Sequence, residues 1–167
     1  MFYTDKKLTD MKDDPNKLAC LQGYFIADAY RVLDLVCIVF ESEKRRYDLH
    51  IQSLFRFLSA RGSVLLATTD IYREAGDGHF AKRENAETQF DLKLARIREK
   101  IIGSCVKAVS LSNCGDIAMR LLTKNGDMLR LEALCDCSCE GEELWRIIPD
   151  DKNAPHMVCY PNGCKEE

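Results

Sequence analysis

Apolar positions along the chain recur with two periods, and the switch between them outlines the elements. Asp14-Pro15 opens a short helix, with Asp14 as N-cap and Pro15 at the first helical position. Leu18 and Leu21 form its inner face, and Gly23 ends it with a positive φ. Phe25, Ala29, Val32, Val36 and Phe40 would fit a helical stripe. Leu33 to Phe40 is nevertheless β-branched and apolar, which favours two strands, about 24–31 and 33–41. Tyr47 to Leu58 alternates, with Leu49, Ile51, Ser53, Phe55 and Phe57 on one face and His50, Gln52, Leu54 and Arg56 on the other. Ser63 to Tyr72 alternates likewise, with Leu65, Ala67 and Ile71 opposed to Leu66, Thr68, Asp70 and Tyr72. A three-residue loop, Ala60-Arg61-Gly62, sets Phe57 opposite Leu65, Phe55 opposite Ala67 and Ile51 opposite Ile71. On the reverse face Gln52 then meets Asp70, and His50 meets Tyr72.

Residues 73–87 are polar and read as a loop. Thr88 and Asp91 resemble a capping box, and Phe90, Leu94, Ile97 and Ile101 follow at helical spacing up to Gly103. That predicts an amphipathic helix over about 88–102 whose stripe covers a sheet. Val106–Leu111, Ile117–Leu121 and Leu129–Ala133 alternate as strands. A three-residue loop, Lys124-Asn125-Gly126, pairs Leu121 with Leu129 and Met119 with Leu131, which keeps one apolar face clean. Two more strands are expected at Leu144–Ile148 and near His156–Tyr160. The sum is an α+β fold, a single domain over residues 15–164 behind a mobile segment, 1–14. It has a mainly antiparallel sheet of about six to eight strands, one short N-terminal helix and one longer amphipathic helix.

Composition narrows the function classes. The 167 residues carry 24 basic and 27 acidic side chains, a net charge of −3. The basic runs, Lys44-Arg45-Arg46 and Lys93, Arg96, Arg98, Lys100, form no phosphate-binding stripe, since the second is mixed with Asp91 and Glu99. A nucleic-acid partner is therefore not expected. No stretch approaches the ~20 apolar residues of a membrane span, and the polar start holds no secretory h-region. A cytoplasmic protein is expected, its thiols reduced. The nine cysteines, an odd number, cannot all pair within one chain. Cys20, Cys37 and Cys105 sit in apolar runs and are expected to pack as small buried hydrophobes.

Two constellations could carry chemistry. Cys135-Asp136-Cys137-Ser138-Cys139 on a strand would point three thiols to one side, toward zinc or copper(I), with Cys159, Cys164 or His156 as a fourth ligand. The spacing lacks a Cys-x₂₋₄-Cys knuckle, and a strand end that meets only water is the preferred expectation, with no cofactor. The polar ladder His50, Gln52, Arg56, Asp70, Tyr72 pairs a possible base with an orienting carboxylate, but no nucleophile stands beside it. Gly-x-Ser-x-Gly, His-Glu-x-x-His and Walker runs are missing from the sequence. A cross-strand ladder or a recognition surface is the better reading. Trp145 is expected in the core, with Arg146 facing water or paired with a carboxylate; a ligand-stacking role is the alternative. The candidate binding surface is thus His50, Gln52, Arg56, Asp70, Tyr72, Trp145 and Arg146, with no catalytic residue assigned and a protein as the partner.

The order of these pieces resembles a group of small uncharacterised bacterial α+β proteins of unknown function. The likeness is carried by Leu49-His50-Ile51-Gln52 with Arg56, Asp70-x-Tyr72, Phe90-Asp91, Gly115-Asp116-x-Ala118-Met119, Lys124-Asn125-Gly126 and Glu143-Leu144-Trp145-Arg146, and it spans residues 16–162. Such proteins resemble the immunity proteins of bacterial toxin systems. The resemblance implies a compact, acidic, non-enzymatic binder and assigns no catalytic residue. Cys135 to Cys139 departs from it.

Overall fold

The computed structural model of the chain describes residues 16–76 and 87–167. The expected mobile segment 1–14 and the cap Asp14-Pro15 lie outside the described residues, as does most of the 73–87 loop. Helix α1 is short, Asn16–Ala19, and buries Leu18 and Leu21; Gly23 follows at φ +88°. Cys20 is exposed rather than buried, because two residues beyond Leu18 a helical side chain points off the apolar stripe. Residues 24–41 form strands, β1 (Phe25–Val32) and β2 (Leu35–Glu41), joined by the two-residue tip Leu33-Asp34.

The alternating run from Tyr47 to Leu58 is not one strand. It divides into β3 (Arg46–Ile51) and β4 (Leu54–Leu58) at Gln52-Ser53, where both amides donate to the carbonyl of Leu144, at 2.9 and 3.0 Å. β4 and β5 (Val64–Ala67) make the expected hairpin around Ala60-Arg61-Gly62, with Gly62 at φ +80°. Its register is corrected one step from the turn. A bulge at Leu65 sets Phe57 opposite Leu66 and Arg56 opposite Ala67, so Leu66, not Leu65, is fully buried. Thr68–Tyr72 then winds into a 3₁₀ turn instead of continuing the strand, because the Asp70 carboxylate accepts the Ala67 N–H at 2.9 Å.

Helix α2 (Gln89–Ile101) starts at Thr88, whose N–H donates to Asp91 at 2.9 Å, and it buries Phe90, Leu94 and Ile101. Strands β6 (Cys105–Leu111), β7 (Ile117–Leu122) and β8 (Met128–Leu134) follow. Leu121 pairs with Leu129 and Met119 with Leu131, as the three-residue loop requires. Strands β9 (Trp145–Pro149), β10 (Met157–Tyr160) and the unanticipated β11 (Gly163–Glu166) complete the chain. The antiparallel architecture agrees with expectation, but the sheet has eleven strands rather than six to eight. The runs read as strands number nine, already above that range, and the remaining two come from the β3–β4 break and from a last strand too short and polar to stand out.

Strand order is β11-β10-β9-β3-β2-β1-β6-β7-β8-β4-β5. β3 and β4 are consecutive in the chain yet six places apart in that order, so the sheet must curl back on itself. Its two halves, β11 to β1 and β6 to β5, share one core. Ile38, Leu49, Ile51 and Trp145 face Met119, Leu131, Phe55 and Phe57 within a single apolar cluster. α2 contacts both β1 and β5, and Phe90 lies 6.4 Å from Phe55, so the helix seals the side where the halves part. No helix among the described residues is long and apolar enough to cross a membrane.

Candidate functional site

The outer face of the first half sets side chains in lateral register. Tyr30 on β1 pairs with Cys37 on β2, Cys37 with His50 on β3, His50 with Arg146 on β9, and Arg146 with Val158 on β10. Alternation places them there, since their neighbours Val36, Ile51 and Trp145 fill the core. The Arg146 guanidinium is held in two-point contact by Glu143, with Nε donating to Oε1 at 2.7 Å and Nη2 to Oε2. Its Nη1 reaches to 3.5 Å from His156 Nδ1. Burial holds the His50 imidazole below its ordinary pKa, against the opposing pull of Asp48. Burial likewise pushes the Cys37 thiol up, and a hydrogen bond with Tyr30 offsets part of that. The result is a row of polar and aromatic side chains in which one arginine is fixed in place.

The expected ladder is dispersed by the register shift and the break at Gln52. His50 lies beside Arg146, not opposite Tyr72. Gln52 is exposed at the corner. Arg56 is on the other half, where its Nε donates to Glu132 at 2.6 Å. Asp70 is 7% exposed and holds Lys93 Nζ at 2.6 Å, a structural carboxylate rather than an orienter for His50. Tyr72 is exposed at the end of the 3₁₀ turn. Trp145 is fully buried, and its indole N–H donates to the Gly115 carbonyl at 2.7 Å; it is core, as the first of its two readings held, and cannot belong to a binding surface. Tyr30, Glu143 and His156 are the members that sequence reasoning missed. Only the i,i+3 spacing of Glu143 and Arg146 hinted at one of them.

The cysteines behave in three ways. Cys135, Cys137 and Cys139 lie beyond the end of β8, so no strand aligns them. Cys135 Sγ points to the Cys137 carbonyl at 3.4 Å, and Cys137 Sγ accepts the Cys139 N–H at 3.2 Å. Among the described residues no three His, Cys, Asp or Glu side chains converge on a point that could hold a metal. The fourth-ligand candidates Cys159 and Cys164 are directly opposite in the β10–β11 hairpin and are joined as a disulfide, an exception to the expectation of reduced thiols. Cys37 is buried, as expected, but on the outer side of the sheet, and Cys105 only partly so. A cavity of about 530 Å³ is lined by Gly23, Tyr24, Phe25 and Ser42–Arg45, without a paired acid and base. Compared with protein-family models, curated proteins and solved structures, the chain shows no match.

Proposed function

We propose that the chain is a non-enzymatic protein-binding module of the toxin-immunity type, and that its partner docks on the outer face carrying His50 and Arg146. One observation carries the reading: a guanidinium fixed by Glu143 stands on the outer sheet face beside an imidazole and within reach of a second one. Preorganised arginines flanked by aromatic and polar groups are typical energetic centres of protein interfaces, because little side-chain entropy remains to be lost on binding. The resemblance to immunity proteins and the acidic balance support the same reading. A cytoplasmic setting belongs to the proposal, and there Cys159 and Cys164 would stand as thiols.

The test is affinity capture from the native host at low salt, with Arg146→Ala run in parallel. One stoichiometric protein is expected with the wild type, its recovery falling about tenfold or more with the variant. Repeated purification without such a protein overturns the reading.

A further inference from the structure

Leu33 is the one non-glycine residue with a positive φ, +54°, among the described residues. It is the first of two residues in the β1–β2 hairpin loop, the place where tight hairpin turns take glycine or asparagine. A bulky side chain there is strained by contact between its Cβ and the backbone. It is also half-exposed, at 53%, and its neighbour Val32 is exposed at 55%. Neither strain nor exposure helps the free protein fold.

The tip is held in this state from behind. Arg31 Nη1 donates to the Leu33 carbonyl at 2.9 Å, while Nε and Nη2 grip Asp91 of α2 at 2.8 and 2.6 Å. An exposed apolar residue in a conformation over-determined by its surroundings is the pattern of a functional constraint.

Two further features give the tip a setting. Tyr72 is 43% exposed, and its 3₁₀ turn is tied to the same end of α2 through Asp70 and Lys93. The carboxylates of Asp34 and Asp136 both act on its phenol. Both acids are exposed, and among the described residues neither lies in a salt bridge, although Asp34 acts at longer range on Arg31; the neighbouring cations Arg31 and Arg73 already have partners. Val32 lies two residues beyond Tyr30 on the same side of β1, so the tip continues the His50–Arg146 face.

We propose that the β1–β2 tip, Val32-Leu33-Asp34, with Tyr72 beside it, is the apolar anchor by which the chain docks into an apolar pocket of a basic protein. The exposed carboxylates Asp34 and Asp136 at its rim select the positive partner, and Leu33 fills the pocket. This rests on the reading of the chain as a protein-binding module and adds where it binds and what chemistry it binds.

The experiment uses the full chain as bait in host extract, in wild-type, Leu33→Gly and Arg146→Ala forms, at low and high salt. A further form carries a photo-reactive phenylalanine analogue in place of Leu33. The expected stoichiometric partner is a basic protein, cross-linked from position 33, recovered at least tenfold less with Leu33→Gly and released by salt. Leu33→Gly should melt at the wild-type temperature or above it, because glycine relieves the positive φ, so its loss of binding cannot be a loss of fold. The anchor is overturned by equal capture with Leu33→Gly, by an acidic partner, by no cross-link from position 33, or by a variant that melts several degrees lower. Capture lost with Arg146→Ala but kept with Leu33→Gly removes the anchor and leaves the binding-module reading standing; capture by no form removes both. A dimer of the pure chain dissociated by Leu33→Gly would make a second copy the occupant and overturn the basic partner.

Discussion

The two halves of the curled sheet treat their outer faces differently. On the first half, Cys37, Val39 and Val158 point outward and are yet 1, 2 and 0% exposed. Each is flanked in register by longer polar side chains: Tyr30 and His50 beside Cys37, Asp28 and Asp48 beside Val39, Arg146 and Lys165 beside Val158. That face is a thin second apolar layer under a polar cover. On the second half the corresponding rows are mostly small or charged, Leu58 excepted. Ala118, Glu132, Arg56 and Ala67 form one row, and Ala108, Arg120, Arg130 and Leu58 the next. Glu132 holds Arg56 at 2.6 Å and Arg130 at 2.5 Å, whereas Arg120 faces Arg130 directly and, among the described residues, forms no ion pair. One face therefore lays a buried apolar layer beneath its polar cover, and the other relies mainly on charge, with Leu58 its one buried apolar member among these rows.

The tie between the halves is the place to break that contrast most severely. Trp145 on β9 reaches Gly115 just ahead of β7, so Trp145→Ala empties the shared core and strips the Gly115 carbonyl of its donor. A loss of about 4 kcal/mol is expected in urea unfolding, still as one transition. Two separated transitions would show that the halves are independent. Next, Val158→Ala should cost about 2 kcal/mol although it lies on an outer face, because its methyl groups are fully buried. A change below about 0.5 kcal/mol, the range of ordinary surface substitutions, would mean that the apolar layer contributes nothing.

A smaller effect is set by pH. Burial lowers the folded pKa of His50 below its ordinary 6.5, so as pH falls through that value the unfolded chain takes up the proton first. Stability contributed by neutral His50 is present above the unfolded pKa and is lost as pH falls toward the folded one. His50→Gln should flatten this part of a melting-temperature profile. An unchanged slope would place the titration elsewhere. The smallest effect is expected on the more highly charged face. Arg120→Glu replaces a like-charge cross-strand pair with an opposite one and should raise stability by about 0.5 kcal/mol, an advantage that fades at high salt. A decrease would show that Arg120 does more than repel Arg130.

What could be read in advance follows the range of the interactions. The β7–β8 pairing was legible in full, since alternation and the Lys124–Gly126 loop leave one register that buries Met119 and Leu121 together. Helix α2 was legible from Thr88, Asp91 and its stripe. The bulge at Leu65 was not, because inserting one residue leaves local alternation almost unchanged while moving every later side chain to the other face. The break at Gln52-Ser53 was hidden for a related reason: the Leu144 carbonyl that captures both amides lies some ninety residues away. His50 and Arg146 were each singled out, but their adjacency depends on β3 pairing with β9, which no local pattern announces. The anchor residue Leu33 carried a signal only in retrospect, as a bulky residue where a tight turn needs a left-handed one.

The β3–β4 corner has a consequence for how the protein is made. As the chain leaves the ribosome, β3 can pair with β2 at once, but its other edge waits for β9, and β4 waits for β8. Until those partners have emerged, residue 134 for β4 and residue 149 for β3, the two strands that carry Leu49, Ile51, Phe55 and Phe57 each keep an open backbone edge beside one bend. Such edges invite pairing with any neighbouring nascent chain. Those edges close in chain order, that of β4 against β8 first and that of β3 last, when β9 brings Trp145 and Ile147 into place.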